Sequence, residues 1–246
     1  MRTVFQLASV LACAFSMNAQ ITATLKRFPA RSSEVAIRNN STVNLTAFAI
    51  RMDPVAQGAA DRAPFVFCTD TAVDTDRLGV WGPLPLPPNQ EYAVPVTGSL
   101  RAGHPVDLFE PPIVTAAIFA DGTTAGDAAL LARLMLRRSN MLQAVELVRG
   151  ILSDAVRRNV PRGQFIAQFQ MMADSLDHWY LPPEQQVGRT LYQSITEKLI
   201  NMSQLQAGAP FPPARFVEQE IAELNRRRST LLESRPRLMD AAVMRQ

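Results

Sequence analysis

Cysteine, histidine and lysine are nearly missing from this chain of 246 residues; Cys13, Cys68, His104, His178, Lys26 and Lys198 are the whole supply. The two histidines lie in different regions, and no H-E-x-x-H, C-x-x-C, G-x-S-x-G or P-loop pattern occurs. The usual zinc, redox, acyl-transfer and phosphate chemistries therefore lack residues at the spacing they require. No catalytic residue and no cofactor is expected. An excess of one sign of charge is also lacking: 25 Lys and Arg against 22 Asp and Glu leave a net +3, which gives no reason to expect a nucleic-acid partner. No apolar run reaches the ~20 residues that span a bilayer as a helix. The mature chain is thus expected not to be transmembrane.

What is present is globular composition, 47% hydrophobic and 19% charged. Residues 1–19, "MRTVFQLASVLACAFSMNA", have the form of a secretory signal peptide. Arg2 supplies the positive start, Val4 to Phe15 the apolar stretch, and cleavage is expected after Ala19. An alternative is "VLAC", Val10 to Cys13, a lipobox-like stretch that would put a lipid anchor on Cys13. Either way the expected location is periplasmic or extracellular in a bacterium. Removal of the leader leaves Cys68 as a lone thiol in the apolar run "PFVFC", where it reads as a small buried hydrophobe.

Residues 20–122 alternate at a period of two, and residues 123–246 repeat at helical intervals. Seven strands are expected: "ITATLKR", "SEVAIRN", "LTAFAIRM", "PFVFC", "LGVWG", "EYAVPV" and "IVTAAIFA". "NSTVN" is expected to join the second and third as a hairpin loop. Prolines 83, 85, 87, 88, 111 and 112 mark loops or edges. The pattern predicts an antiparallel β-sandwich, immunoglobulin-like in topology, as the first domain. In the second, Leu130, Leu134, Met141, Val145, Val148 and Leu152 trace a stripe broken at Arg138. Further stripes run Phe165, Phe169, Met172, Leu176, Trp179, then Val187, Leu191, Ile195, Leu199, Met202. The last, Val217, Ile221, Leu224, Leu231, is interrupted by "RRR" at 226–228. These predict a separate α-helical bundle or long helical hairpins, with neighbours antiparallel. At the junction, "IFADGTTAGD", Asp121-Gly122 ends the last strand. Thr124 with Asp127 fits a helix-start signature.

Three clusters hold candidate chemistry. Asp70, Asp74 and Asp76 in "CTDTAVDTDRLG" form the candidate metal site, a weak calcium site judged on ligand type alone, because the EF-hand spacing is missing. The plainer reading is a turn rich in Asp. "DSLDHWYLPPE" gathers Asp174, Asp177, His178, Trp179, Tyr180 and Glu184, either a carboxylate pair for polysaccharide hydrolysis or a helix end packed by aromatics. "NRRRSTLLESRPR" sets Arg226, Arg227, Arg228, Arg235 and Arg237 either toward an anionic surface or on a solvated face, with pairs such as Glu223 to Arg227. Asn39, Asn40, Asn44 and Asn201 begin sequons that matter only in a eukaryotic secretory route.

"VAIRNNSTVNLTAFAI", "PLPLPPNQEYAVPV" and "VTAAIFADGTTAGD" leading into an Arg-bearing helix resemble a group of uncharacterised exported bacterial proteins. In these an immunoglobulin-like sandwich precedes a helical tail. The resemblance covers residues 33–136 and implies architecture and export, with no activity attached. The expected function is that of a non-enzymatic binding or structural protein. Its sandwich would present an edge or loops to a protein partner, and its helices would serve assembly or self-association. A cell-envelope polysaccharide hydrolase and a calcium-stabilised adhesion module are the alternatives.

Overall fold

In the computed structural model the described residues are 20–27, 33–53, 64–74, 85–95, 110–158, 160–178, 180–202 and 211–233. The first half builds strands β1 (Ile21–Arg27), β2 (Ser33–Asn39), β3 (Leu45–Met52), β4 (Phe65–Asp70), β5 (Glu91–Pro95), β6 (Ile113–Phe119) and β7 (Thr124–Gly126). They form two antiparallel sheets, ordered β1-β2-β5 and β4-β3-β6-β7. Six of the seven expected strands are present. The run "LGVWG" lies outside the described residues, and β7 was not expected.

The "NSTVN" loop does not make a hairpin, because β2 and β3 belong to different sheets. Asn39 explains the crossing. Fully buried, its amide donates to Val43 O at 2.8 Å and Leu86 O at 2.9 Å, while its Oδ1 accepts from Ser41 N at 3.0 Å. The side chain satisfies backbone groups that would otherwise be stranded at the crossover.

One core lies between the sheets. Ile21, Val35, Ile37 and Tyr92 come from the first sheet and Phe48, Ile50, Val114 and Phe119 from the second. The second sheet is buried on its other face too, where Ala47, Ala49, Ala116 and Ile118 meet Leu134. Register shifts between Leu45 and Ala47 on β3, and opposite the Ala49–Ile50 step on β6, reset which side chains point inward. Small alanines on the outer face let a helix lie close.

Four helices follow among the described residues: α1 (Ala128–Arg158), α2 (Arg162–Ser175), α3 (Gly188–Asn201) and α4 (Ala214–Glu233). At the junction Gly122 takes φ 83°, and Asp121 Oδ1 accepts from Thr123 N at 2.9 Å, a side-chain-closed turn. The helix-start expectation needs correcting by three residues. Thr124 is in β7, and Asp127 caps α1 by accepting from Leu130 N at 2.9 Å. The pairing of β7 with β6 holds Thr124 extended and leaves Asp127 as the first residue free to cap.

The apolar stripes face a common core: Met141, Val145, Val148 and Leu152 of α1, Phe165 and Phe169 of α2, Leu191, Ile195 and Leu199 of α3, Val217, Leu224 and Leu231 of α4. Phe165 and Phe169 pack edge to face at 5.4 Å. Trp179 lies outside the described residues. Ala72 and Val73, just past β4, are buried in this helical core. A segment of the β half therefore reaches across the junction and is packed by helices.

Candidate functional site

Among the described residues a dense set of buried polar contacts surrounds that segment. β4 ends at Asp70, and the turn from Asp70 to Asp74 closes through Asp74 N to Asp70 O at 2.8 Å. Asp70 Oδ1 accepts from Ala72 N at 3.0 Å, and Asp74 Oδ2 accepts from Asp70 N at 2.9 Å. Three arginines from two helices grip this turn. Arg138 donates from Nε to Asp70 Oδ2 at 2.7 Å, and from a terminal nitrogen to Asp70 Oδ1 at 3.2 Å and Thr46 Oγ1 at 3.1 Å. Arg137 forks both oxygens of Asp74 at 2.8 and 2.9 Å. Arg227 of α4 donates to Val73 O at 2.7 Å.

Asp70 is fully buried and Arg138 is 4% exposed, so neither is answered by bulk water. Burial pushes the Asp70 carboxyl above its usual range, against the pull of Arg138 and the Ala72 N–H. Burial likewise raises the Cys68 thiol, opposed by Arg137 and Arg133. Cys68 was expected to be buried but is only partly so, packed against the Ala47, Ala49, Ala116, Ile118 and Leu134 cluster at the seam of sheet and helix. Tyr92, facing the inter-sheet core with no partner for its hydroxyl among the described residues, is pushed up to about 12 by burial and by the Asp74 charge.

These contacts define what Asp70 and Asp74 do. Their oxygens hold guanidinium groups and backbone N–H groups, and the arrangement is a buried fastener. Asp76 lies outside the described residues. Among the described residues no group of three or more His, Cys, Asp or Glu is arranged to hold a metal.

The second cluster is spread over a surface. Asp174 is exposed, and Asp177 bonds Arg189 at 2.6 Å. His178 stacks on exposed Tyr180 with ring centres 5.0 Å apart. Glu184 is drawn away from the other acids. It pairs with Arg133 of α1, and its backbone oxygen accepts from Asn140 at 2.8 Å. The structure does not bring these residues to one point.

The arginine run divides as well. Arg226 pairs with Glu223, and Arg228 with Glu146. The expected Glu223–Arg227 pair is corrected: Arg227 turns inward, 8% exposed, to the Val73 carbonyl. Arg235 and Arg237 lie outside the described residues. An apolar surface groove of about 450 Å³ runs between α1 and α4, bordered by Ser153, Val217 and Ile221.

Sequence reasoning missed Arg137, Arg138 and Arg227 as partners of the turn. A signal was present: Arg138 breaks the α1 stripe, and the arginine triplet breaks the α4 stripe, at positions facing the core.

Strand β1 is the remaining feature. It is hydrogen-bonded to β2 over seven residue pairs in unbroken register and, among the described residues, to no other strand. Thr22, Thr24 and Lys26 face solvent, while Ala23 and Leu25 are only half-buried against the inter-sheet core. No protein-family model matches this chain, and no curated protein or solved structure matches it either.

Proposed function

We propose that this chain is an exported, non-enzymatic recognition protein, in which an immunoglobulin-like sandwich offers an edge strand to a protein partner and the helices form an assembly module. The observation that carries the reading is β1. Natural sheets blunt their edges with charge, proline, bulges or brevity. Here β7 has three residues, β5 ends at Pro95, and β4 runs into the arginine-gripped turn. β1 has seven residues, no proline and no bulge, and its charges, Lys26 and Arg27, are confined to its last two positions. Such an edge is suited to accepting a strand from outside.

The strand orders β1-β2-β5 and β4-β3-β6-β7 support the immunoglobulin-like reading. They parallel sandwiches in which strands A, B and E face C′, C, F and G. The apolar leader and its small-residue end support export, with processing that would place the mature start at Gln20, next to β1. No helix among the described residues is long and apolar enough to cross a membrane.

The test is a photo-crosslinking amino acid at Thr22 in the intact chain, with the same probe at the exposed helix position Asp174 as control. A discrete adduct from Thr22 alone is expected. No adduct, or equal adducts from both positions, overturns the proposal.

A further inference from the structure

We infer that the mature chain carries a modified first residue: once processing exposes Gln20, its α-amine closes on its own side-chain amide to give a five-membered lactam, a pyroglutamyl end. This rests on the export reading, which puts the cut between Ala19 and Gln20. The step balances within the residue. The neutral amine nitrogen attacks Cδ, and a new N–Cδ bond forms. The Cδ–Nε2 bond breaks, and Nε2 leaves as ammonia with the proton shed by the attacking nitrogen. No oxidant, metal or co-reactant is required.

The fold leaves the ring free to form. Gln20 is half-buried, and among the described residues no hydrogen bond or ion pair holds its side chain. What anchors the residue lies beyond its Cα. Its carbonyl accepts from Asn40 N at 2.7 Å, and the next residue, Ile21, is 1% exposed in the inter-sheet core. The ring uses only the nitrogen, Cα and the side-chain carbons, so closure keeps the Asn40 bond and everything after it. Charge favours the same outcome. A free α-amine titrates at about 7.7–8.0, and only its neutral form attacks. The first charged residue back along β2 from Asn40 is Arg38, exposed and opposite Thr22. A like charge there favours the neutral amine. The two acids of the sheet serve the other end of β1. Glu34 lies opposite Lys26, and Glu91, although β5 sets it opposite Arg38, is ion-paired with Lys26. An ammonium at Gln20 would therefore face a cation, and the lactam removes that charge.

Mass spectrometry tests this on the full chain, expressed with its own leader in a Gram-negative bacterium and recovered from the periplasm. Amines are dimethylated before digestion, so that a ring closed earlier escapes the label and one formed during digestion does not count. Trypsin, blocked at the labelled Lys26, then cuts after Arg27 and releases residues 20–27. The expected peptide is lighter than its unmodified sequence by one ammonia, with a label on Lys26, which shows that labelling was complete, and none on residue 20. Gln20→Ala should give a peptide with the same start, no loss of ammonia and labels at both places. A peptide that starts at Gln20 and carries two labels overturns the lactam and leaves the export reading standing. A loss of ammonia that persists in Gln20→Ala also overturns it, by placing the loss elsewhere. A first residue other than Gln20 overturns it too, and if that residue is Met1 the export reading falls with it.

Discussion

Asp70 sits where no water reaches, and its carboxylate is answered by the Arg138 guanidinium and the Ala72 N–H, while the nearby Asp74 carboxylate opposes it. Removing one member of such a pair strands the other. Asp70→Asn should cost about 3–5 kcal/mol in urea unfolding, and Asp70→Asn with Arg138→Met should recover much of that loss. Titration separates two kinds of carboxyl. Burial lifts Asp70, so the stability tied to its proton is complete below about pH 3.9 and is lost as pH rises through the raised folded value. Glu146 behaves in the opposite sense. The hydrogen bond from Arg228, with help from Arg149, lowers its pKa. Its contribution is present above about pH 4.3 and lost as pH falls through the lowered value. Urea midpoints measured against pH should therefore show a weaker acid-side loss in Glu146→Gln than in the unaltered chain. At this scale the sequence was least legible. Arg138 and Asp70 are 68 positions apart, and a periodicity argument can register Arg138 only as a break in a stripe.

Periodicity served well for the helices, because their cores follow local spacing that a window of residues contains. It failed at ends and crossings. Thr124 and Asp127 both suit a helix start, and only the pairing of β7 with β6 decides between them. "NSTVN" has the composition of a hairpin loop, and only the demands of Asn39 on Val43 and Leu86 send it to the other sheet. Asp127→Ala should cost about 1 kcal/mol through loss of the α1 cap. Two glycines make an opposing pair. A Cβ on Gly150 would meet nothing within 4 Å, so Gly150→Ala should stabilise α1 by about 0.5–1 kcal/mol. A Cβ on Gly188 would sit 3.0 Å from the Ala144 side chain, where α3 crosses α1. Gly188→Ala should therefore destabilise by about 1–3 kcal/mol. Thermal melts of both variants check the signs.

Over the whole molecule, the composition and the change of period at Gly122 disclose a mixed α and β protein, and the structure has that content. The division at that point is less clean than the periodicity suggests. Ala72 and Val73 leave the β half to be packed by helices, and α1 lies on the outer face of the second sheet. The reason is physical: a sheet buried on both faces uses alanine on one of them, and alanine weighs little in any hydrophobic pattern. The donor to Val73 O is Arg227, 154 positions downstream. A contact of that span closes late, since the entropy of so large a loop must be overcome before the bond forms. Stopped-flow refolding of Arg227→Ala should thus show a folding limb near that of the unaltered chain and faster unfolding. A polypeptide whose first half waits on its last helix stays pliant while it is being made, as the proposed export would require.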